Sequence, residues 1–267
     1  MKKAFTLAEV LMPKRTSGIK NEVLDSRESE GQGLLSNTIK HCAFTLAEVL
    51  ITIVIIGVVA ALTVPTVVQK FQQHELYTRF MKAYNTITTA VQLSTADNGD
   101  ASTWVNNNTG DGDDPTEYVA TYLTPYFKNF SMVDLSDIYF NDIVIHDLQG
   151  GIALEGEAEG QAIVFSDGSL IFPIGVYGNP ETVLTMILDT NGGKGPNTLG
   201  RDTFLLSIGK IMYPQSPMAG KGGVSIATQD NVSVEDCCST TASCTGDMSW
   251  PGITCPLKLI KDGKMDY

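Results

Sequence analysis

Glu48 is the residue most at odds with its surroundings. From Phe44 to Val68 the chain reads FTLAEVLITIVIIGVVAALTVPTVV, and Glu48 is the single charge in it. A carboxylate in such a segment costs on the order of 2.5–3.5 kcal/mol at the centre of a bilayer, and less near its edge. It calls for a positive partner, yet no Lys, Arg or His lies between Phe44 and Val68. If the chain were cut before Phe44, the new α-ammonium would stand one helical turn from Glu48, in the i,i+4 relation. The chemistry available to Glu48 is that of a charge pair.

A second group of oxygen-bearing side chains lies on the stretch DTNGGKGPNTLGRD, residues 189–202. Asp189, Asn191 and Asp202 on a tight Gly-rich loop suit a hard cation such as Ca²⁺. The start is similar to an EF-hand loop, but Lys194 replaces its glycine and Gly200 stands where the twelfth-position Glu belongs. The alternative is a β–β connection shaped by Gly, Pro and Asn. Gly195 to Gly200 also spaces like a phosphate loop, but Arg201-Asp202 follows in place of the required Lys-Ser/Thr. Phosphate binding of that kind is excluded.

Cys237, Cys238, Cys244 and Cys255 lie close together near the C-terminus. Their spacing does not offer the C-x₂₋₄-C pairs of a zinc site, and in an exported domain they read as disulfides. Setting aside the strained vicinal pair leaves two pairings, 237–244 with 238–255 or 237–255 with 238–244. The three histidines, His41, His74 and His146, are scattered, and neither G-x-S-x-G nor H-E-x-x-H occurs. Glu155, Glu157 and Glu159 alternate as on a solvated strand or loop rather than as an acid and base pair. No catalytic set emerges, and the expectation is a protein that is not an enzyme.

Composition points the same way. Of 267 residues, 43% are hydrophobic and 18% charged, which is enough apolar material for a folded core. The formal charge of −12 repels phosphate backbones, so no nucleic-acid partner is expected. That charge is unevenly spread. Residues 1–43 carry a net +2 and residues 44–96 a net +1, whereas residues 97–267 hold eight Lys+Arg against 23 Asp+Glu.

The elements that must position these residues follow from the pattern. Phe44–Val68 is long enough to span a bilayer, since about 20 apolar residues suffice. It is too long for the core of a cleaved secretory signal. Beyond it, Val67, Phe71, Phe80, Tyr84, Ile87 and Val91 recur mostly at helical spacing, which predicts an amphipathic helix over 69–96 ending at Asp97-Asn98-Gly99. From Phe44 to Ala96 such a helix would run about 80 Å at 1.5 Å per residue. Gly57 and Pro65 are the places where a bend or local loss of helix is expected. Residues 97–137 read as a variable loop region with helical turns around Tyr118–Leu123. The remainder reads as strands: an alternating Ile138–Leu148, a hairpin of Ala162–Phe165 and Leu170–Phe172 about Asp167-Gly168, and the runs Val183–Leu188 and Thr203–Ile208. The expected fold is α+β, a long N-terminal helix packed on a small, mostly antiparallel sheet with one face covered.

Ala43-Phe44-Thr45-Leu46-Ala47-Glu48-Val49-Leu50, with the apolar stretch behind it, resembles the start of type IV pilins and type II secretion pseudopilins. In that family a prepilin peptidase cuts before the Phe and methylates its amine. Counting from Phe44, the family's Glu falls on Glu48 and its frequent proline on Pro65. Ala43 stands where the family usually has Gly. The resemblance implies a leader over 1–43, a transmembrane and filament-core helix over 44–68, a stalk helix over 69–96 and a β-rich head over 97–267. That leader contains an earlier copy of the octapeptide, AFTLAEVL at Ala4–Leu11, with no apolar segment behind it. It reads as a duplicated or recombined start, or a misplaced start codon.

The resemblance also implies that Glu48 pairs with a neighbour's Phe44 amine to set register in a filament. The implied partners are other pilin or pseudopilin subunits, the prepilin peptidase, inner-membrane assembly machinery and membrane lipid. The implied location is the bacterial inner membrane, single-pass, with the head in the periplasm, and then the pilus or pseudopilus. A mature length of 224 residues leans towards a minor subunit. Some pseudopilins hold Ca²⁺ in a sheet-region loop, and a disulfide-closed C-terminal loop is common in pilins. The competing expectation is a membrane-anchored Ca²⁺- or ligand-binding domain that never assembles.

Overall fold

The computed structural model describes residues 44–105, 115–139, 142–177, 183–209, 224–226, 233–241, 243–245 and 250–267. The expected leader 1–43, with Ala43 and the duplicated octapeptide, lies outside the described residues. The described chain divides into two units between Thr52 and Ile53.

The first helix, α1 (Leu46–Asn98), is continuous for 53 residues. Its start is written in Thr45 and Glu48, and its end in Gly99, which adopts φ +82° and donates its N–H to the Thr95 carbonyl at 3.0 Å. Of the bend or local loss of helix expected at Gly57 or Pro65, the loss does not occur, since the helix runs without a break through both. Pro65 lacks the N–H that would reach back one turn, but the helix on either side is long enough to absorb one missing bond.

Burial along α1 changes character midway. Phe80, Ala83, Tyr84, Ile87, Ala90, Val91 and Ser94 are buried, a stripe at three- and four-residue spacing that faces the core. Val67 and Phe71, expected on that same face, are 64% and 70% exposed. They extend the exposed apolar surface that begins at Phe44 instead of joining the core.

Among the described residues the sheet has six strands, in the order β1-β4-β5-β6-β7-β8. They are β1 (Phe130–Asp134), β4 (Gln161–Phe165), β5 (Leu170–Tyr177), β6 (Val183–Asp189), β7 (Thr203–Gly209) and β8 (Val224–Ile226). Every neighbouring pair is antiparallel. A separate hairpin joins β2 (Asp142–His146) to β3 (Ile152–Glu157). The short helices are α2 (Thr116–Tyr122), α3 (Leu135–Tyr139), α4 (Val234–Cys237) and α5 (Cys255–Asp262).

Both faces of the sheet are covered, where the sequence predicts cover for one. On one face Leu184, Met186, Leu188, Phe204 and Leu206 join the α1 stripe, with Trp104 and Leu259 completing that core. On the other, Leu170, Phe172, Ile187 and Leu205 meet Leu135, Tyr139, Ile145 and Ile253. All seven residues of β7 are therefore buried, and the strand reads as a continuous apolar run because neither face needs polar residues. A second correction concerns Ile138–Leu148, expected as one strand. It divides into the end of α3 and then β2, because Leu135 and Tyr139, four residues apart, bury together on one face of a helical turn.

Candidate functional site

Glu48 has a partner within its own first turn. The Thr45 backbone N–H and the Thr45 hydroxyl each donate to Glu48 Oε2 at 2.8 Å, and the Glu48 N–H donates to Thr45 Oγ1 at 3.3 Å. This is a capping box, in which an N-cap threonine and a glutamate three residues on satisfy each other's orphan N–H groups. The signal, Thr-x-x-Glu ahead of an apolar run, is present in the sequence. Only Oε2 is used, and among the described residues Oε1 has no partner. The carboxylate is held by its own helix and still presents one oxygen outwards.

From Phe44 to Phe71 α1 exposes an almost unbroken apolar surface. Leu46, Ile51, Val54, Ile56 and Leu62 are all more than half exposed. Single exposed apolar residues are ordinary, but a contiguous surface of this size marks a membrane or protein interface. The helix is long and apolar enough to cross a bilayer.

The loop from Asp189 to Asp202 is built around its two carboxylates. Asp189 is fully buried at the end of β6. Its Oδ1 accepts the N–H groups of Asn191 and Gly192 at 2.9 Å, and its Oδ2 accepts the Gly193 N–H at 2.8 Å and the Tyr139 hydroxyl at 2.7 Å. Asp202, also buried, accepts from Asn191 Nδ2 at 2.9 Å and from the N–H groups of Asn197 and Thr198 at 3.1 and 2.7 Å. Asn191 thus bridges the two. Burial, and then the neighbouring Asp189 charge, pushes the Asp202 carboxyl above its usual range. Burial, followed by the Asp189 charge, likewise raises the Tyr139 phenol and keeps it a donor.

Gly192 and Gly193 both take positive φ, and the backbone and side-chain neighbours leave no room for a Cβ at either. One would meet the Gly168 carbonyl and the other Ile138 Cγ2 at 2.5 Å. A glycine pair is what lets three successive N–H groups curl onto one carboxylate.

In this loop the Asp189 carboxylate is fully engaged, while the side-chain oxygens of Asn191 and Asn197 are buried with no hydrogen-bond partner among the described residues. A cation needs the carboxylate lone pairs, and here both oxygens of Asp189 already take two donors each. Among the described residues no group of three or more His, Cys, Asp or Glu could hold a metal. Asp189, Asn191 and Asp202 lie together in one hydrogen-bonded loop.

Comparison with known families assigns residues 39–64 as a prokaryotic N-terminal methylation motif. The chain carries a prepilin signal. It is the cleavage and methylation signal of type IV pilins and pseudopilins, and the match falls on the second copy of the octapeptide, the one with the apolar helix behind it. A second match, to a family of unknown function (DUF6613), covers residues 66–186. It takes in α1 from just beyond Pro65 and the head as far as β6. No curated protein and no solved structure matches the chain.

Within the prepilin signal, Phe44 and Thr45 precede the first turn of α1, so the expected cut would leave an N-terminus immediately ahead of the capping box. At the other end of the chain, Cys237 is joined to Cys244 and Cys238 to Cys255, the first of the two pairings left open by the sequence. The second bridge ties α4 to α5, and α5 contributes Leu259 to the main core. The last residue is fixed as well: the Tyr267 hydroxyl donates to the Gly200 carbonyl at 2.6 Å.

Proposed function

We propose that this protein is a pilin or pseudopilin subunit, cut before Phe44, methylated there, and assembled into a filament through α1. The reading is carried by one juxtaposition: a prepilin signal opens a helix whose apolar surface, from Phe44 to Phe71, is left exposed by the described residues. Such a surface is first solvated by lipid as a membrane anchor and then by neighbouring helices in a filament core. In this reading residues 1–43 are the leader, the head lies in the periplasm before assembly, and the partners are other subunits, the prepilin peptidase and the inner-membrane assembly machinery. The subunit is a minor one. Glu48 presents its free oxygen to the Phe44 amine of a neighbour, and that pair sets the axial register.

The deciding experiment is mass spectrometry of the N-terminus of the protein purified from its native host. The expected species begins with N-methylated Phe44. Recovery of Met1 or Phe5 as the dominant N-terminus, from protein that remains in the membrane, would favour an anchored domain that does not assemble.

A further inference from the structure

A groove of about 410 Å³ runs between one face of α1 and the loop after β6. Gln72, Glu75, Leu76 and Arg79 line it from the helix, and Asn191, Lys194, Pro196 and Arg201 from the loop, so that one carboxylate faces three basic side chains. Lys194 and Arg201 are exposed. Six Lys or Arg of the head are described. Lys258, Lys261 and Lys264 are in ion pairs, Lys128 lines a different groove, and Lys194 and Arg201 have no ion-pair partner among the described residues. Two cations without an ion-pair partner among the described residues, in a head with eight Lys+Arg against 23 Asp+Glu, therefore share this groove beside the neutralised Arg79–Glu75 pair.

The height of the groove says what it meets. The apolar run ends at Val68, and at 1.5 Å per residue Gln72 and Arg79 stand about 6 and 16 Å further along the axis. The headgroup layer beyond the hydrocarbon is about 5–8 Å deep on each side of a bilayer, and long basic side chains reach several ångströms more. The lower end of the groove is at headgroup level whenever Phe44–Val68 spans. We propose that this groove seats the anionic headgroups of the surrounding bilayer. Lys194 and Arg201 contact lipid phosphate, while Arg79 is fixed by Glu75 at 2.7 Å and braces the loop through the Thr190 carbonyl. The surface keeps an otherwise acidic head against an anionic membrane, because charges beyond a Debye length of about 8 Å are screened and the nearest ones decide. The inference rests on the membrane-anchored reading of α1.

The test uses the full chain in phosphatidylcholine vesicles, with and without phosphatidylglycerol, and follows hydrogen exchange of the 191–201 amides. A ligand that binds the closed loop slows exchange by the factor 1 + [L]/Kd. Each basic side chain at an anionic surface contributes about 1 kcal/mol, or about fivefold. Phosphatidylglycerol should therefore slow exchange about 25-fold at low salt and far less at high salt. The double variant Lys194→Gln, Arg201→Gln should exchange alike in both vesicles while melting as the wild type does. Equal exchange in the two vesicles, or slowing that survives the double variant, overturns the proposal. So does the same slowing by inorganic phosphate in neutral vesicles, which would mark a free-anion site. Slowing that grows with protein density in neutral vesicles would mark an acidic segment of a second copy and would also overturn it. Flotation of the chain with neutral vesicles after a carbonate wash checks the anchor separately. A chain that fails to float overturns both readings; one that floats with exchange indifferent to phosphatidylglycerol overturns this one alone.

Discussion

Asp189 is a buried carboxylate that takes its four hydrogen bonds from three backbone N–H groups and one phenol. The energetic weight lies in what is orphaned when it is removed. Asp189→Ala leaves three partly buried N–H groups without their acceptor, and at up to about 1 kcal/mol for each the variant should lose at most about 3 kcal/mol of stability. Tyr139→Phe removes a single donor from a carboxylate that keeps three others, and should cost about 1 kcal/mol. Chemical unfolding of the full chain in neutral detergent measures both. Because the carboxylates are already occupied, neither chelation nor added Ca²⁺ should move the melting temperature; a rise with Ca²⁺ would restore the metal that the hydrogen bonds argue against. None of this was legible in the residue types alone. Asp189, Asn191 and Asp202 have the composition of a cation loop, and the residue types do not reveal Tyr139, fifty residues away, or the glycine pair that turns the N–H groups inwards.

At the scale of elements, α1 is tied to the β4–β5 hairpin by Lys82, whose Nζ lies 2.8 Å from Asp167 Oδ2. Burial by itself would raise the Asp167 carboxyl, but hydrogen bonds from Lys82 and Ser169, with the Lys82 charge, hold it down at about 2. The folded state therefore binds fewer protons than the unfolded chain between about pH 4 and 2, and the stability Asp167 contributes above that window is lost as pH falls through it. Asp202 acts oppositely. Its raised folded value means that stability falls as pH rises from the usual carboxylate range through that value. Lys82→Met should cost under about 1 kcal/mol at neutral pH, since the pair is partly exposed, and variant and wild type should converge as pH approaches 2. A pH series of urea midpoints measures this, and a difference that persists at pH 2 would make packing rather than charge the tie.

The hairpin itself was legible, because Asp167-Gly168 between apolar runs is a strong turn signal and Gly168 takes φ +85°. The strands β6 and β7 were legible as apolar runs, and the helix stop at Gly99 from its glycine. By contrast β1 was hidden, since Phe130–Asp134 has no regular alternation and owes its state to pairing with β4. The hairpin partner β3 was hidden too, because its acidic residues face away from the core and resemble a loop.

Across the whole molecule, charge and apolar surface are sorted to different ends of the chain, and Glu48 is the exception to that sorting. The capping box makes the usual test ambiguous. Glu48→Ala removes the charge and also the cap, and loss of such a cap costs about 1 kcal/mol of helix stability. A failure to assemble would then have two causes. Glutamine serves in the capping box as glutamate does, so Glu48→Gln keeps the bond to the Thr45 N–H and removes only the charge that would meet a neighbour's amine. If the charge pair sets register, Glu48→Gln and Glu48→Ala should enter filaments equally poorly. If the cap is what matters, Glu48→Gln should assemble as the wild type does and only Glu48→Ala should fail. Both variants should insert into the membrane at least as well as wild type, because each relieves the segment of a charge that costs on the order of 2.5–3.5 kcal/mol at the bilayer centre. The measurement is the amount of each variant in sheared filaments relative to its amount in the membrane fraction. Wild-type incorporation of Glu48→Gln would end the register role and leave Glu48 as the first turn's cap.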